Sequence, residues 1–446
     1  MFVASAKIFS RGGASLPRVV RGDGAWITDE TGRRYLDAAG GAIVVGIGHG
    51  RTAVAQAAAE QASKIAYAHG SAFTADALES WAAEMGPLLP MENASLYPVS
   101  GGSEAAETAL KMVRAYWLAQ GEPDRTIVVS RWGSYHGNTL GALDLSGRRG
   151  LRKPYEPWLG RFEHVSAAYP YRAGLEGADA IGSGAEAVAE LDALLHRVGP
   201  GRIAAFVAEP IVGATLAAAV PPDDYWPAVS AWCERNKVLF VADEVMAGFG
   251  RTGTWFGVNH WGIQPDLLLA AKGATSGYWP FGFVAAAGRV AEPLISSGFV
   301  HGFTYSHSIP GAAVARAVLK ILQEEELVKA AAQRGVQLRS ALESALKDEP
   351  WVGEIRGRGL LIGIELVADR ANKLPHPRAA RITEHILTAA KSSAGDGLLL
   401  YSATGQANGT DGDQLVIGPP FVIGDEEVER IAGGTAAAIR SVREER

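Results

Sequence analysis

Asp243 and Glu244 close the apolar run Val238-Leu-Phe-Val-Ala242, and 29 positions after Asp243 a lysine, Lys272, closes a second run, Leu268-Leu-Leu-Ala-Ala271. Carboxylates at the end of a buried strand are costly unless partnered; the ordinary alternative is a solvated strand end. A lysine against an apolar strand either snorkels to water or has a depressed pKa and serves as a nucleophile. Taken alone, snorkelling is the commoner outcome. Ser100-Gly-Gly-Ser-Glu-Ala105 opens a helical pattern. The free N–H groups and positive dipole end of a first turn suit an anion, and glycines let it approach the backbone. The plainer reading is a Ser-capped helix with Glu104 complementing the dipole. Ser134-Tyr-His-Gly-Asn-Thr139 places an aromatic side chain, Tyr135, on the loop after the Val128-Val129 strand, where a flat ring could stack.

Jointly these pieces form a chemical set. An anion cradle, an acid at one strand end and a lysine at another are what pyridoxal phosphate requires: a phosphate site, a carboxylate to keep the pyridine nitrogen protonated, and an amine for covalent attachment. The chain also resembles the class III (omega-type) aminotransferases of the fold-type I pyridoxal-phosphate enzymes, over nearly its whole length. The matching stretches are Leu36-Asp-Ala-Ala-Gly-Gly41, Ser100–Ala105, Ser134–Thr139, Ala208-Glu-Pro210, Ala242-Asp-Glu-Val245 with Gly248-Phe-Gly-Arg-Thr-Gly253, Ala271-Lys-Gly273, Thr304-Tyr-Ser306, Arg356-Gly-Arg-Gly359 and Pro419-Pro-Phe421.

The resemblance implies that Lys272 and Asp243 are catalytic, Lys272 as the covalent anchor and Asp243 as the partner of the pyridine nitrogen. It places Val245 on the ring face opposite Tyr135, with His136 beside Tyr135 in the cofactor-binding set. Gly102 and Ser103 would bind the phosphate, Thr304 would reach it from the partner subunit of a homodimer, and Glu209 matches the family's Glu-Pro acid near the ring. Departures matter as much. Where members acting on omega-amino acids resemble Glu-Pro-x-Gln-Gly-Glu, this chain reads Glu209-Pro-Ile-Val-Gly-Ala214. Val212 therefore replaces a cofactor-contacting glutamine, Ala214 a gating glutamate, and Val416 the arginine that would pair with it. After Thr304 the chain reads His307-Ser-Ile-Pro310, with proline displaced by one residue from the common pattern.

The elements that must position these residues are legible as buried strands alternating with amphipathic helices. Thr126–Ser130, Ala204–Ala208, Val238–Ala242, Asp266–Ala270 and Gly282–Ala286 are apolar throughout, as strands buried on both faces are. Between them lie helical patterns such as Ser103–Leu118, with Leu110, Val113 and Trp117 on one face. The fold class is α/β: a large domain with a mostly parallel sheet flanked by helices, seven-stranded by the resemblance, plus a smaller α+β C-terminal domain. Helices are expected at Ala312–Glu325 and Leu327–Leu346, strands at Gly357–Leu366, Leu398–Tyr401 and Gln414–Ile417, and a terminal helix after Asp425. The expected organisation is an N-terminal segment, 1–55, with a hairpin packing on the small domain, a large cofactor-binding domain, 56–305, and a small domain, 306–446.

Composition excludes other classes. The chain has 446 residues, 48% apolar and 20% charged, the balance of a folded protein. Its net charge of −6, without a Lys/Arg stripe, gives little support for a nucleic-acid or anionic-membrane partner. Small-molecule partners, an amine or amino acid and an oxo acid, fit better. Cys233 is the single cysteine, so an intramolecular disulfide and a Cys-rich zinc site are excluded, and no metal is expected. Met1–Val20 has no apolar stretch long enough for a signal-peptide core, and no run reaches the roughly 20 residues of a membrane span, so a cytoplasmic location is expected. The function expected is transfer of an amino group from a primary amine or omega-amino compound to an oxo acid such as pyruvate, in a ping-pong cycle. An aminomutase, racemase or decarboxylase on the same scaffold is the alternative. A binding protein that has lost turnover is disfavoured by the joint presence of Lys272, Asp243 and Tyr135, and a nicotinamide enzyme by the lack of Gly-x-Gly-x-x-Gly between a strand and a helix.

Overall fold

A computed structural model describes residues 16–446; most of the Met1–Val20 segment read above lies outside the described residues. The central sheet has seven strands in the order Ser95–Val99, Gly282–Ala286, Leu267–Ala270, Leu239–Asp243, Ile203–Ala208, Ile127–Arg131 and Glu163–Val165. All run parallel except Gly282–Ala286, which pairs antiparallel on both sides. Alternate residues of each strand enter different cores: Phe240 and Ala242 pack on one face, Leu239 and Val241 on the other. That double burial is why the strands read as unbroken apolar runs instead of alternating ones. Pro98 has no N–H to donate, and its strand accordingly lies at the sheet edge.

The helix Gly102–Ala119 covers one face through Ala105, Ala106, Ala109, Met112, Val113 and Trp117. Leu110, expected on the packed face, is only partly buried. Small alanines form the contact instead and let the helix axis approach the sheet. The N-terminal strands Val19–Asp23, Trp26–Asp29 and Arg34–Asp37 form a meander whose last member pairs in parallel with Gly397–Leu399.

Two single strands of the sequence reading are in fact broken. Gly357–Leu366 is a hairpin, Val352–Arg358 against Leu361–Leu366, turned at Gly359 (φ +54°), where a Cβ would lie 2.3 Å from the Thr252 carbonyl carbon. An apolar run crossing a tight turn looks continuous, because the turn is revealed only by what packs against it. Leu398–Tyr401 divides likewise: Gly397–Leu399 joins the N-terminal sheet, and Tyr401–Thr404 joins a four-stranded antiparallel sheet with Asp413–Ile417, Leu361–Leu366 and Val352–Arg358. The helices Ile309–Glu324, Leu327–Ala345 and Asp425–Glu444 follow the expected positions.

The C-terminal sheet is tied to the large sheet's loops through one buried carboxylate. Glu365 accepts from Arg172 Nη2 at 2.7 Å, Arg356 Nη2 at 2.9 Å, Gln414 Nε2 at 2.6 Å and the Tyr169 hydroxyl. Burial opposes its ionisation, yet Arg356 and Arg172 hold its carboxyl below the usual range. Glu365→Gln leaves two buried guanidinium groups without their shared charge, and breaking a buried pair costs about 3–5 kcal/mol. The variant should therefore unfold several degrees lower in calorimetry; an unchanged midpoint would mean that the network contributes nothing to stability.

Candidate active site

The chemistry-bearing residues lie where parallel strands end, the side of an open α/β sheet on which ligands collect. Asp243 is the last residue of its strand and its side chain is only 4% exposed. Its Oδ1 accepts from the Val245 N–H at 3.0 Å and its Oδ2 from His136 Nδ1–H at 2.7 Å. That leaves His136 Nε2 to accept from the Ser130 hydroxyl at 3.1 Å. The His136 backbone N–H donates to Ser146 Oγ at 2.8 Å, so both ring and main chain are held.

Lys272 follows the strand Leu267–Ala270 and has φ +40°, a left-handed conformation that a side chain adopts at some energetic expense. Burial depresses its ammonium pKa to about 8, while Asp243 and Glu209 work in the opposite direction and Arg251 adds to the depression. The nucleophilic reading of this lysine is thus favoured over snorkelling: it is partly buried, in the field of two carboxylates, and half neutral at a pH of about 8. Glu209 begins the loop after Ile203–Ala208 and accepts from the N–H groups of Tyr135 and Gly213, both at 3.2 Å. Its carboxyl is raised above the usual range by burial, with Asp243 adding and His136 and Arg131 opposing.

The first turn of the helix Gly102–Ala119 completes the ring of contacts. A Cβ on Gly102 would lie 3.0 Å from Val245 Cγ1, so the first turn of the helix and the turn after Asp243 are in direct apposition. Ser103 Oγ accepts from the Asn138 N–H at 3.1 Å, and Asn138 Nδ2 donates to the Tyr135 hydroxyl at 3.1 Å. Gly102, Ser103, Tyr135, His136, Glu209, Asp243, Val245 and Lys272 are therefore one connected cluster. Thr304 is not brought to it: the residue is exposed, and among the described residues no hydrogen bond joins it to the others. Val416 lies in an apolar cluster with Ile43, Ile211, Ala217, Ala218 and Leu361, and the buried Val212 belongs to a neighbouring one. Among the described residues no group of His, Cys, Asp and Glu could hold a metal ion, and no helix is long and apolar enough to cross a membrane.

Sequence reasoning assigned no role to four supporting residues. Ser130 and Ser146 fix His136, and no motif marks them. Glu244, next to Asp243, accepts from the Gly257 and Val258 N–H groups at 2.8 Å each, and burial raises its carboxyl to about 7. Arg251 donates to the carbonyls of Leu360, Pro419 and Val45, joining three chain segments behind the site. It stood within a quoted motif, but with no role attached.

A mostly parallel seven-stranded sheet with helices on both faces, carrying a lysine and a carboxylate at its strand ends, is the fold-type I architecture. The family pattern described as aminotransferase class-III matches residues 9–439. Over 421 residues the chain is 37% identical to an uncharacterized aminotransferase, YodT, of Bacillus subtilis, covering 94% of each chain. Over 420 residues it is 34% identical to the putrescine–pyruvate aminotransferase of Pseudomonas aeruginosa, covering 93% of this chain and 88% of that one. Among solved structures, an (S)-enantioselective omega-transaminase from Thermomicrobium roseum superposes with a TM-score of 0.88 at 37% identity, covering 96% of this chain and 93% of that one. The chain belongs to the class III aminotransferases, a family of pyridoxal-phosphate-dependent enzymes.

Since only the neutral amine is a nucleophile, the reactivity of Lys272 in the cofactor-free protein should rise with pH and level off above a midpoint of about 8. Peptide-resolved labelling with an amine-directed reagent measures this; a midpoint near that of an ordinary exposed lysine would place the side chain in solvent.

Proposed function

We propose that the enzyme moves an amino group from a primary amine or omega-amino compound to an oxo acid such as pyruvate in two half-reactions, with pyridoxal phosphate bound at the carboxyl ends of the sheet. The reading rests above all on the partly buried, partly neutral Lys272 lying in the field of the buried Asp243 carboxylate. The residues present fit the cofactor. A Cβ at Gly137 would come within 2.5 Å of Ser103 Oγ, and one at Gly102 would press on Val245, so glycine at both places keeps the first turn of the helix open to a phosphate. Tyr135 and Val245 are available for the two faces of a flat ring, with His136 and Glu209 supporting the loop that carries Tyr135.

When bound, pyridoxal phosphate supplies an electron sink for the carbon that loses its proton. Lys272 Nζ would hold it covalently, and its amine would move the proton at the donor carbon. The Asp243 carboxylate, held by the Val245 N–H and His136 Nδ1–H, keeps a proton on the ring nitrogen. Gly102 and Ser103 hold the phosphate, and Thr304, exposed on its own chain, completes the phosphate site of a second copy in a homodimer. A single buried cysteine suits a reducing, cytoplasmic setting.

Lys272→Ala should abolish turnover in a folded protein. Asp243→Asn should still bind cofactor but lose roughly 100-fold or more in rate, the scale of removing one preorganised electrostatic group. Steady-state kinetics beside cofactor absorbance separate the two effects, and near-normal turnover in Asp243→Asn would make that acid structural.

Substrate choice follows from the missing charges. With Ala214 and Val416 at the places of a glutamate and an arginine, that wall of the pocket is apolar, and a second substrate carboxylate would be buried without a partner. Pyruvate should therefore exceed 2-oxoglutarate in kcat/KM as acceptor, and a hydrophobic amine should exceed 4-aminobutyrate as donor. A clear preference for 2-oxoglutarate with 4-aminobutyrate contradicts this.

A further inference from the structure

If the enzyme uses an oxo acid, as proposed above, a cation must meet its carboxylate, and the pair that the family resemblance leads one to expect is absent at Ala214 and Val416. Beside the first of these places lies a cavity of about 310 Å³, lined by Thr215 and Leu216, which follow Ala214 directly, and by the loop beyond Thr404. Across the sheet, Val416 is paired in register with Tyr401. Three cationic side chains line the cavity: Arg148, Arg149 and Arg378. Arg149 is bound to Asp179 and stacked 3.8 Å over the Trp132 ring, and Arg378 is bound to Glu384. Arg148 alone of the three has no carboxylate partner among the described residues, although it is partly buried.

The residues before Arg148 are tied to the loop that carries Tyr135. Gly147 donates from its N–H to the Ser134 carbonyl at 3.1 Å and to Ser134 Oγ at 3.0 Å, and its carbonyl accepts from the Gly133 N–H at 3.1 Å. A Cβ at Gly147 would lie 2.1 Å from the Arg131 carbonyl oxygen, so the two chain segments are in backbone contact. Ser146 accepts from the His136 N–H, so the two residues before Arg148 hold the residues on either side of Tyr135. Burial lowers the Arg148 pKa, and the electrostatic neighbours that oppose the shift are the hydroxyls of Tyr401 and Tyr135. One hydroxyl belongs to the aromatic residue of the candidate site, the other to the residue paired with Val416.

We propose that Arg148 is the specificity-determining cation that binds the carboxylate of the oxo-acid acceptor, by a fork of charge-assisted hydrogen bonds between Tyr135 and Tyr401. The guanidinium stands near the place left by the missing arginine but arrives from a different part of the chain. One guanidinium without a carboxylate partner among the described residues provides for one carboxylate, which suits a monocarboxylic acceptor. Arginine matches a planar carboxylate with two parallel N–H donors, which lysine cannot reproduce.

The test compares Arg148→Ala and Arg148→Lys with wild-type holoenzyme, using pyruvate and propanal as acceptors, the second lacking the carboxylate. Removing one partner of a hydrogen-bonded charge pair should lower kcat/KM for pyruvate by roughly 100-fold in Arg148→Ala, with partial recovery in Arg148→Lys. The fall for propanal should be at least about tenfold smaller, because no carboxylate is lost there. Arg149→Gln, equally close in sequence but committed to Asp179, should leave the pyruvate-to-propanal ratio in place. Equilibrium binding of propanoate to the holoenzyme, by calorimetry, should weaken in parallel with the pyruvate effect. An equal loss for both acceptors would make Arg148 a packing residue, and an unchanged ratio would put the carboxylate elsewhere; either overturns the proposal. Should wild-type holoenzyme convert neither acceptor, the transfer reading fails and propanoate decides alone: weaker binding in Arg148→Ala supports the site, and unchanged binding rejects it.

Discussion

The Asp243 carboxylate ends a strand that is buried on both faces, and much of the surrounding structure answers to that charge. Taken out of water, an ionised carboxyl is stable only if its lone pairs are met and a cation stands near. The Val245 N–H and the His136 ring meet them, which dictates the turn after the strand and the seat of the Ser134–Thr139 loop. The turn in its turn presses Val245 against Gly102, so the helix N-terminus is placed relative to the carboxylate. Lys272 is the nearby cation, and the same burial that makes Asp243 need it also makes the lysine partly neutral. The turn, the seat of the loop and the partly neutral lysine are thus three consequences of one buried carboxyl.

The supporting shell uses the same logic at larger separation. Arg251, a few residues beyond Asp243, is fully inside the protein, and burial lowers its pKa to about 9. Its guanidinium is spread over carbonyls from the N-terminal segment, the Gly359 hairpin and the Pro419 region. Glu365 does the complementary work with Arg172 and Arg356, and Arg356 reaches on to the carbonyls of Leu216 and Ala217. Those carbonyls belong to the loop that starts at Glu209. The C-terminal sheet is therefore joined to the site wall by hydrogen-bonded charge as well as by apolar packing.

The proposed specificity has a different origin. Where a charged pair could stand, Ile211, Val416 and their neighbours form a small apolar cluster. A wall of this kind rewards apolar substrate and penalises unpaired charge, so the cations close by gain importance according to whether they are already engaged. Most arginines near the cavity are committed to acids or carbonyls of the protein itself.

What the sequence determined on its own was the kind of element and the chemical types at its ends. Strands buried on both faces admit only apolar residues, so the runs ending at Asp243 and near Lys272 announced themselves, and carboxylate and lysine stood out against them. The Ser100-Gly-Gly-Ser turn was equally visible, because a helix start needs small and capping residues whatever surrounds it. Tertiary structure decided everything that depends on partners distant in the chain. The charge state of Lys272 and the setting of Arg148 are of this kind; the lysine is partly buried beside two carboxylates and the arginine lines a cavity without one. The breaks at Gly359 and between Leu399 and Tyr401 were equally hidden, since an apolar stretch reads the same whether it stays in one sheet or passes into another. Local sequence encodes burial and backbone preference, whereas a side chain's charge state and the partner it meets are set by the packing of segments far apart in the chain.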